Sequence, residues 1–500
     1  MRYPTLHIKQ KGQSLLWVLG FLATMAVTFA GVYSVGQTTS EKQKIVNAVD
    51  AAAYTGGMVE ARALNLTAYA NRAEIANEVF VAQMVSMESW VAYFKQTIKS
   101  FKTVANVLEK IPYIGIVFTI VKSILQVMET TLNAAQQPLN VAVSAAITAV
   151  DTVYYKLAYQ VTTTAIFVPG SMAKAAELAG KAVLAANVAN QNGKIDSAPE
   201  AIKTIPLLAI NAYEWDKGFK NYSKGGTSIG SAVDNRRNAR DILLASRDQF
   251  STERKGSNVP VFEVLWGTAS LGIPCVFEIG ASKDGPTLLK NYERWEAQDT
   301  SEYGFRIGSC KGASFGIPYG WGRATAAQNQ SSGDPRYSPH SSAGSLAYSD
   351  GPKKHGGWAG VKALWDVDRD GSDNPKPSFN SGNEKLTFTI AAAKPKADIK
   401  NNESLNAMNR VAPSKLGSPD LKSDYEDGQI AAKASAKIFF ARPARNNADI
   451  TATSLFRNDK HKEISNLYNP YWQVRLENVS LAATEIIYLG KNPALPLLVQ

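Results

Sequence analysis

Residues 14–37, SLLWVLGFLATMAVTFAGVYSVGQ, run for 24 positions without a charge. At about 1.5 Å of rise per residue they make roughly 36 Å of helix, enough to cross a hydrocarbon layer about 30 Å thick. Beyond this run no proline occurs before Pro112, and no glycine between Gly57 and Gly115. The helix is therefore predicted to continue to about Leu108. A seam can be read along it at alternating steps of four and three: Ile45, Val49, Ala52, Gly56, Val59, Ala63, Leu66, Ala70, Ala73, Asn77, Phe80, Met84, Met87, Val91, Phe94, Ile98, Phe101, Ala105, Leu108. Only Asn77 among these is neither apolar nor small. Such an a/d pattern marks a helix packed along one stripe.

The seam changes character along its length. Before Ala76 it is mostly Ala, Gly and Val; after Phe80 it is Phe, Met, Ile and Leu. Small residues such as Ala52, Gly56 and Ala63 let another helix approach closely. That helix can belong to the same subunit or to another one, and the pattern alone allows both.

Arg2, Lys9 and Lys11 precede the apolar run with no acidic residue among the first 13, whereas Glu41 and Asp50 offset Lys42 and Lys44 after it. The positive-inside bias puts the tail in the cytoplasm and the bulk outside. The rival is a cleaved export signal with Thr28-Phe29-Ala30 as its small-residue site. A signal core usually spans about 7–15 residues, and this run is longer, which favours a retained anchor. Hydrophobic residues make up 45% and charged residues 19% of the 500, so the chain is neither disordered nor polytopic. Net charge is +11, but the basic residues are scattered, with no aromatic-interleaved stripe. No nucleic-acid partner is expected.

Ile111-Pro112-Tyr113-Ile114-Gly115 reads as a turn. Residues 116–133 then read as a helix, core-packed, interfacial or a second span, with Lys122 and Glu129 interrupting its apolarity. Gln136-Gln137-Pro138 reads as a break, and further helices fit 139–157 and 171–190. Residues 191–232 read as a junction and 233–250 as a helix. The texture then turns to short β-type runs, VPVFEVLW, PCVFEIG, KLTFTIAAA and AKIFFARP, with 312–358 read as long loops. The expected architecture is α+β: a tail at 1–13, a transmembrane helix at 14–37, a long helix and antiparallel bundle at 38–190, the junction at 191–232, and an exported β-rich domain at 233–500.

Chemistry-bearing motifs are sparse. Gly312-Ala313-Ser314-Phe315-Gly316 matches G-x-S-x-G, but Ile317-Pro318 follows where a nucleophile elbow needs a helix. The four histidines, His7, His340, His355 and His461, are isolated. No catalytic residue and no resident cofactor are expected. Asp366, Asp368, Asp370, Gly371 and Asp373 resemble the start of a calcium loop, although position 12 is Pro377 rather than Glu; a solvated acidic turn is the alternative. The two cysteines, Cys275 and Cys310, can form a disulfide in an oxidising compartment or remain buried thiols.

Lys11-Gly12-Gln13-Ser14-Leu15-Leu16 leads into the apolar run, and Ile45-Val46-Asn47-Ala48-Val49-Asp50-Ala51-Ala52-Ala53 follows it. Ala61-Arg62-Ala63-Leu64-Asn65 and Ala70-Asn71-Arg72-Ala73-Glu74-Ile75-Ala76-Asn77 come next. This N-terminal segment resembles the TadE/TadG-like proteins of bacterial Flp (Tad) pilus assembly. Tyr292-Glu293-Arg294-Trp295 and Asn469-Pro470-Tyr471-Trp472-Gln473 resemble patches of the larger members. The resemblance implies a structural, non-catalytic protein, pilin-like or accessory, anchored by one span in the inner membrane of a Gram-negative bacterium. Its N-terminus would be cytoplasmic and its bulk periplasmic or extracellular, with other pilin-like or Tad assembly proteins as partners. The alternative is an exported ligand-binding or adhesin protein on the same anchor. Two features depart from relatives of this kind: Trp17 stands where prepilins usually carry Glu, and no D-x-S-x-S metal site of an adhesive von Willebrand A module is found.

Overall fold

The computed structural model describes residues 13–110, 115–188, 200–201, 205–222, 236–255, 271–273, 277–307, 314–328, 340–368, 385–395, 429–441 and 464–480. The helices are α1 (Gln13–Leu108), α2 (Gly115–Ala149), α3 (Tyr155–Gln160), α4 (Ser171–Val188), α5 (Ile205–Gly218), α6 (Arg237–Ala245), α7 (Gln249–Thr252) and α8 (Ser341–Ser349). Two π-helical stretches, Val150–Tyr154 and Val161–Ile166, flank α3. The strands are β1 (Glu200–Ala201), β2 (Phe219–Tyr222), β3 (Leu271–Ile273), β4 (Phe277–Asp284), β5 (Thr287–Lys290), β6 (Arg294–Ile307), β7 (Ser314–Ala327), β8 (Lys353–His355), β9 (Leu364–Val367), β10 (Thr387–Pro395), β11 (Gln429–Phe440) and β12 (Trp472–Glu477). The α+β class and the long N-terminal helix expected from sequence are both present.

The chain divides into two compact units, neither contiguous in sequence. One holds residues 1–68, 163–220 and 367–500; the other holds 69–162 and 221–366. In the first, an antiparallel sheet runs in the order β1-β10-β11-β12. α1 lies on that sheet closely: a Cβ on Gly56 would sit 2.7 Å from Phe388 Cζ, and one on Gly57 would sit 3.0 Å from Val474 Cγ1. α4 packs on the same helix, where a Cβ on Gly180 would come 3.0 Å from the Ala52 carbonyl oxygen. Phe167, Trp215, Phe219, Phe440 and Trp472 form a continuous aromatic cluster, with ring centroids 5.1–6.2 Å apart.

In the second unit the sheet order is β3-β4-β6-β7-β8, with β5 also paired to β6. All pairs are antiparallel except β7–β8, and a bulge falls at Ser301/Glu302. The stretch read as loops over 312–358 contains the 14-residue strand β7 and helix α8. Its glycines explain the misreading, because they serve as seats for a helix rather than as turns. A Cβ on Gly322 would fall 2.9 Å from Tyr93 Cα and closer still to the Ser89 carbonyl and Tyr93 amide. One on Gly320 would fall 2.7 Å from Tyr93 Cε2. The backbone of α1 therefore rests directly on β7.

Sequence and structure also differ in the phase of the buried stripe. Ile45, Val49, Ala52 and Gly56 are buried as the seam predicts, but Leu66, Ala73 and Phe80 are exposed. The buried positions instead continue through Glu60, Leu64, Thr67, Asn71, Glu74, Glu78, Val81, Val85, Ser89, Tyr93 and Thr97. Steps of four repeat at 52-56-60-64 and again at 85-89-93-97. A straight helix drifts about 20° per heptad against a strict 3.5-residue repeat. The drift adds up to the ~100° between neighbouring residues over about five heptads, so the buried face takes in positions beside the seam while Ala63, Ile98 and Ala105 of the seam itself stay buried.

The break expected at Pro138 is absent, since Pro138 lies inside α2. The proline removes one backbone donor, while side-chain contacts hold the helix on both sides: before it Lys95 donates to Gln136 Oε1 at 2.7 Å and Lys102 pairs with Glu129 at 3.1 Å, and after it Ser144 Oγ meets His355 Nδ1 at 2.8 Å. Of the four predicted strand runs, KLTFTIAAA and AKIFFARP fall in β10 and β11, and PCVFEIG supplies the start of β4. VPVFEVLW lies outside the described residues.

Gly322→Val should force α1 off β7. Overpacking of a filled core costs about 1–3 kcal/mol, and a clash with backbone on both sides should reach the upper end of that range. A drop in denaturant midpoint of the detergent-solubilised chain measures it; an unchanged midpoint would show that α1 is not seated on this strand.

Candidate functional site

Two features of α1 stand out. The first is its apolar beginning. Trp17 is 82% exposed, Phe21 68% and Phe29 62%, and Gly20, Gly31 and Gly36 have nothing within 4 Å of a built Cβ. Apolar helix surface left this open among the described residues is costly in water at about 25 cal/mol per Å². It fits a bilayer, where backbone hydrogen bonds are satisfied within the helix. α1 is long and apolar enough here to cross a membrane. The basic tail that set the expected topology lies outside the described residues.

The second feature is an acidic stripe buried beneath the later turns. In the first unit Glu41 is held by Lys44 at 2.8 Å and by the buried Lys394 at 3.2 Å. Burial works against its charge, but the two lysines outweigh it and the carboxyl is pulled below its ordinary range. Glu60, 2% exposed, has no such cation among the described residues; burial first, then the neighbouring Glu214 charge, push its carboxyl well up.

In the second unit Glu74 and Glu78, one helical turn apart, are 2% and 1% exposed. Trp358 Nε1 donates to Glu78 Oε2 at 2.8 Å, while Glu78 Oε1 and both Glu74 oxygens lack a well-formed hydrogen bond among the described residues. The π-helical turn after α2 carries Asp151. Its Oδ1 accepts the Ala359 amide at 2.9 Å and pairs with Lys362 Nζ. Lys362 also lies 5.0 Å over the Tyr155 ring. Burial pushes Glu78 up to about 8 and Glu74 up to about 7, with Lys362 opposing the rise in both. Glu88 is likewise pushed up to about 7 by burial, opposed by Lys353. At neutral pH these side chains are largely or partly protonated, which is how one helix face tolerates so many carboxyls. Ala70, Asn71, Glu74, Tyr155, Tyr159 and Trp365 line a crevice with room for about one water molecule.

Two asparagines complete the stripe. Asn65 donates to the Trp472 carbonyl and accepts the Trp472 amide, both at 3.0 Å, so its side chain imitates a paired strand residue. Asn71 Nδ2 donates to the Trp365 carbonyl at 2.8 Å. Sequence reading missed the roles of Asn65, Asn71 and the glutamates because it sought an apolar seam. Glu60, Asn71, Glu74 and Glu78, at steps of eleven, three and four, share one helix face, and that spacing was the available signal.

Of the positions singled out from sequence, Ala52, Gly56 and Ala63 are buried within the first unit, Gly56 beneath the Phe388 ring. Asp366 is 1% exposed at the end of β9, and the Asp368 amide donates to the Gly218 carbonyl at 2.9 Å. Asp370 and Asp373 lie outside the described residues, as do Cys275 and Cys310. Among the described residues no three His, Cys, Asp or Glu side chains are placed to hold a metal. His340 is enclosed by Ser282 at 2.8 Å and Thr300 at 2.9 Å.

Residues 12–62 match the family model described as Flp pilus-assembly TadE/G-like. No curated protein and no solved structure matches the chain. The match covers the apolar start of α1 and its first buried turns, the same segment that carried the resemblance in sequence. It supports involvement in pilus assembly, and the exposed apolar helix fits transmembrane anchoring.

Glu78→Gln should remove a pH dependence. An unfolded glutamate ionises near 4.5, whereas the folded one holds its proton to about 8. Between those values the unfolded chain binds fewer protons, so stability falls as pH rises from about 4.5 to about 8 and levels off above. Melting temperatures recorded from pH 5 to 8 should decline less steeply in Glu78→Gln than in the parent chain. Parallel curves would place the titration elsewhere.

Proposed function

We propose that this chain is a membrane-anchored, pilin-like structural component of Tad/Flp-type pilus assembly. It has no catalytic role; α1 holds it in a bacterial inner membrane with its N-terminus cytoplasmic and its two units on the outer side. The observation that carries this reading is the coincidence of the family match with a change in α1. Within residues 12–62 the helix passes from an uncovered apolar surface to a buried stripe of small residues. Ala52, Gly56 and Ala63 let the helix accept close neighbours. With Phe388 and Gly180 already in that space, the surface left for spans of other pilin-like or Tad assembly proteins is 14–36.

A second reading, an exported ligand-binding or adhesin protein on the same anchor, draws on the Glu74 crevice beside Ala363–Trp365. The acidic run from Asp366 would then bind calcium. Calcium-dependent stabilisation of the chain, lost in Asp370→Asn, favours this second reading, and no shift with calcium removes it.

Separating sheared filaments, inner membrane and periplasm, with mass spectrometry of the mature N-terminus, tests the first reading. Recovery in the inner membrane or filaments with residues 14–37 intact is expected. A soluble protein beginning near Gly31 would reject it. Two variants separate folding from partnership. Gly56→Leu should lower abundance, because it meets Phe388. Gly31→Leu should leave abundance unchanged and reduce co-purification of partner proteins. Normal recovery with Gly31→Leu would sink the interface.

Cys275 and Cys310 are proposed to pair after export. Alkylation under non-reducing conditions should leave both unmodified, with a linked peptide in the mass spectrum; two alkylated thiols would refute the pairing.

A further inference from the structure

Asp151 and Lys362 stand 211 positions apart in the chain and meet inside the second unit, where Asp151 is 9% exposed and Lys362 6%. Asp151 is carried by the π-helical stretch Val150–Tyr154, a backbone form that recurs at functional sites. Lys362 Nζ donates to Asp151 Oδ1, and among the described residues that oxygen is its one hydrogen-bond acceptor. Nζ also lies 5.0 Å from the centre of the Tyr155 ring. The Ala359 amide donates to the same Oδ1 at 2.9 Å. A buried ion pair adds little by itself, because the cost of taking both charges out of water offsets their attraction. Stability alone is a weak reason for this one.

The surroundings supply what an amide-forming condensation needs. An amine must be held against a carboxyl carbon, water must be excluded, and an acid must protonate the departing oxygen. The Nζ–Oδ1 contact and its burial meet the first two requirements. Glu74 and Glu78 meet the third. Both feel the charges of Lys362 and Asp151, and both stay partly or largely protonated at neutral pH because burial disfavours their charge. Glu78 Oε1 and both Glu74 oxygens lack a well-formed hydrogen bond among the described residues. The Ala359 N–H is placed to hold negative charge on Oδ1 as a tetrahedral centre forms. Glu74 and Tyr155 also line the crevice with room for about one water molecule, the single by-product.

We infer that Lys362 and Asp151 become joined by an amide bond between Nζ and Cγ, a cross-link the chain makes in itself in one intramolecular turnover. Away from water the ammonium passes a proton to the carboxylate, leaving an amine beside a carboxylic acid. The Nζ lone pair attacks Cγ, and the π electrons of the carbonyl move onto Oδ1. A glutamic acid then gives its proton to the Oδ2 hydroxyl, which leaves as water with the C–O bonding pair. The resulting glutamate takes a proton from Nζ as the carbonyl reforms. Amine and acid become amide and water, the glutamic acid is regenerated, and no oxidant or cofactor is consumed.

The purified full-length chain is denatured, digested with trypsin and mapped by mass spectrometry. Trypsin does not cut after an acylated lysine, so one branched peptide carrying Asp151 and Lys362 is expected, lighter than its two parts by one water. Two separate peptides, with cleavage after Lys362, would leave an ion pair only and overturn the cross-link. Lys362→Arg should abolish the branched peptide; a branch from Asp151 to another lysine would overturn the assignment. The double variant Glu74→Gln, Glu78→Gln keeps side-chain size, and its fold is checked by tryptophan emission. Its yield of branched peptide should fall at least about tenfold. A folded double variant with the parent's yield would overturn the part given to the glutamates.

Discussion

Both units depend on the same physical event, the approach of a helix backbone to a neighbouring surface where a side chain is missing. In one unit the missing side chains are on α1, at Gly56 and Gly57, and the strands bring Phe388 and Val474 to them. In the other they are on the strand, at Gly320 and Gly322, and α1 brings Tyr93. Glycine costs backbone entropy in a helix or strand by about 0.5–1 kcal/mol relative to alanine. That cost is offset where the resulting contact packs at the density of a protein interior. The closeness of α1 to its sheets follows from these few positions.

The polar character of the buried stripe follows from that closeness. A helix lying so near a sheet has little room for large aliphatics, and Ser86, Ser89, Thr97 and the asparagines fill it instead. Ser89 donates to Asp299 at 2.7 Å, and Asp299 accepts a forked pair of hydrogen bonds from the fully buried Arg254. Ser86 meets Thr287 at 2.8 Å, and Arg254 bonds the same hydroxyl. Satisfied polar groups of this kind orient the helix about its axis as well as holding it. Glu60, Glu74 and Glu78 meet the cost of burial by holding their protons more tightly than an exposed glutamate does, and Glu41 by pairing with lysines.

The parts of this structure that were legible in sequence are those governed by local chemistry. The uncharged run of 14–37, the absence of proline to Pro112 and the alternation in KLTFTIAAA each specify an element without reference to anything distant. The phase of the α1 stripe was only partly legible beyond Gly56: Ala63, Ile98 and Ala105 are buried as the seam predicts, while Leu66, Ala73 and Phe80 are not. A seam read at fixed heptad spacing takes Leu66 and Phe80 inward, whereas Glu74 and Glu78 go in because Trp358 and Lys362 wait nearly 300 residues later in the chain. The glycine-rich stretch that forms β7 was read as loops for a related reason. Gly320 and Gly322 look like turn residues until α1 is laid across them. The TadE/G-like segment was recognisable because its distinguishing residues sit together at the start of α1.

The interleaving of the two units also sets an order of events for the emerging chain. The unit comprising 69–162 and 221–366 has all its segments once Asp366 has been synthesised. The other must wait for β12, since Asn65 near its beginning is bonded to Trp472. Until then Gly57 and Asn65, whose partners Val474 and Trp472 lie on β12, stand uncovered. Contacts separated by about 400 residues form slowly because the loop must close first. The emerging chain therefore passes through a half-finished state in which one unit has all its strands while a face of α1 still awaits its last one.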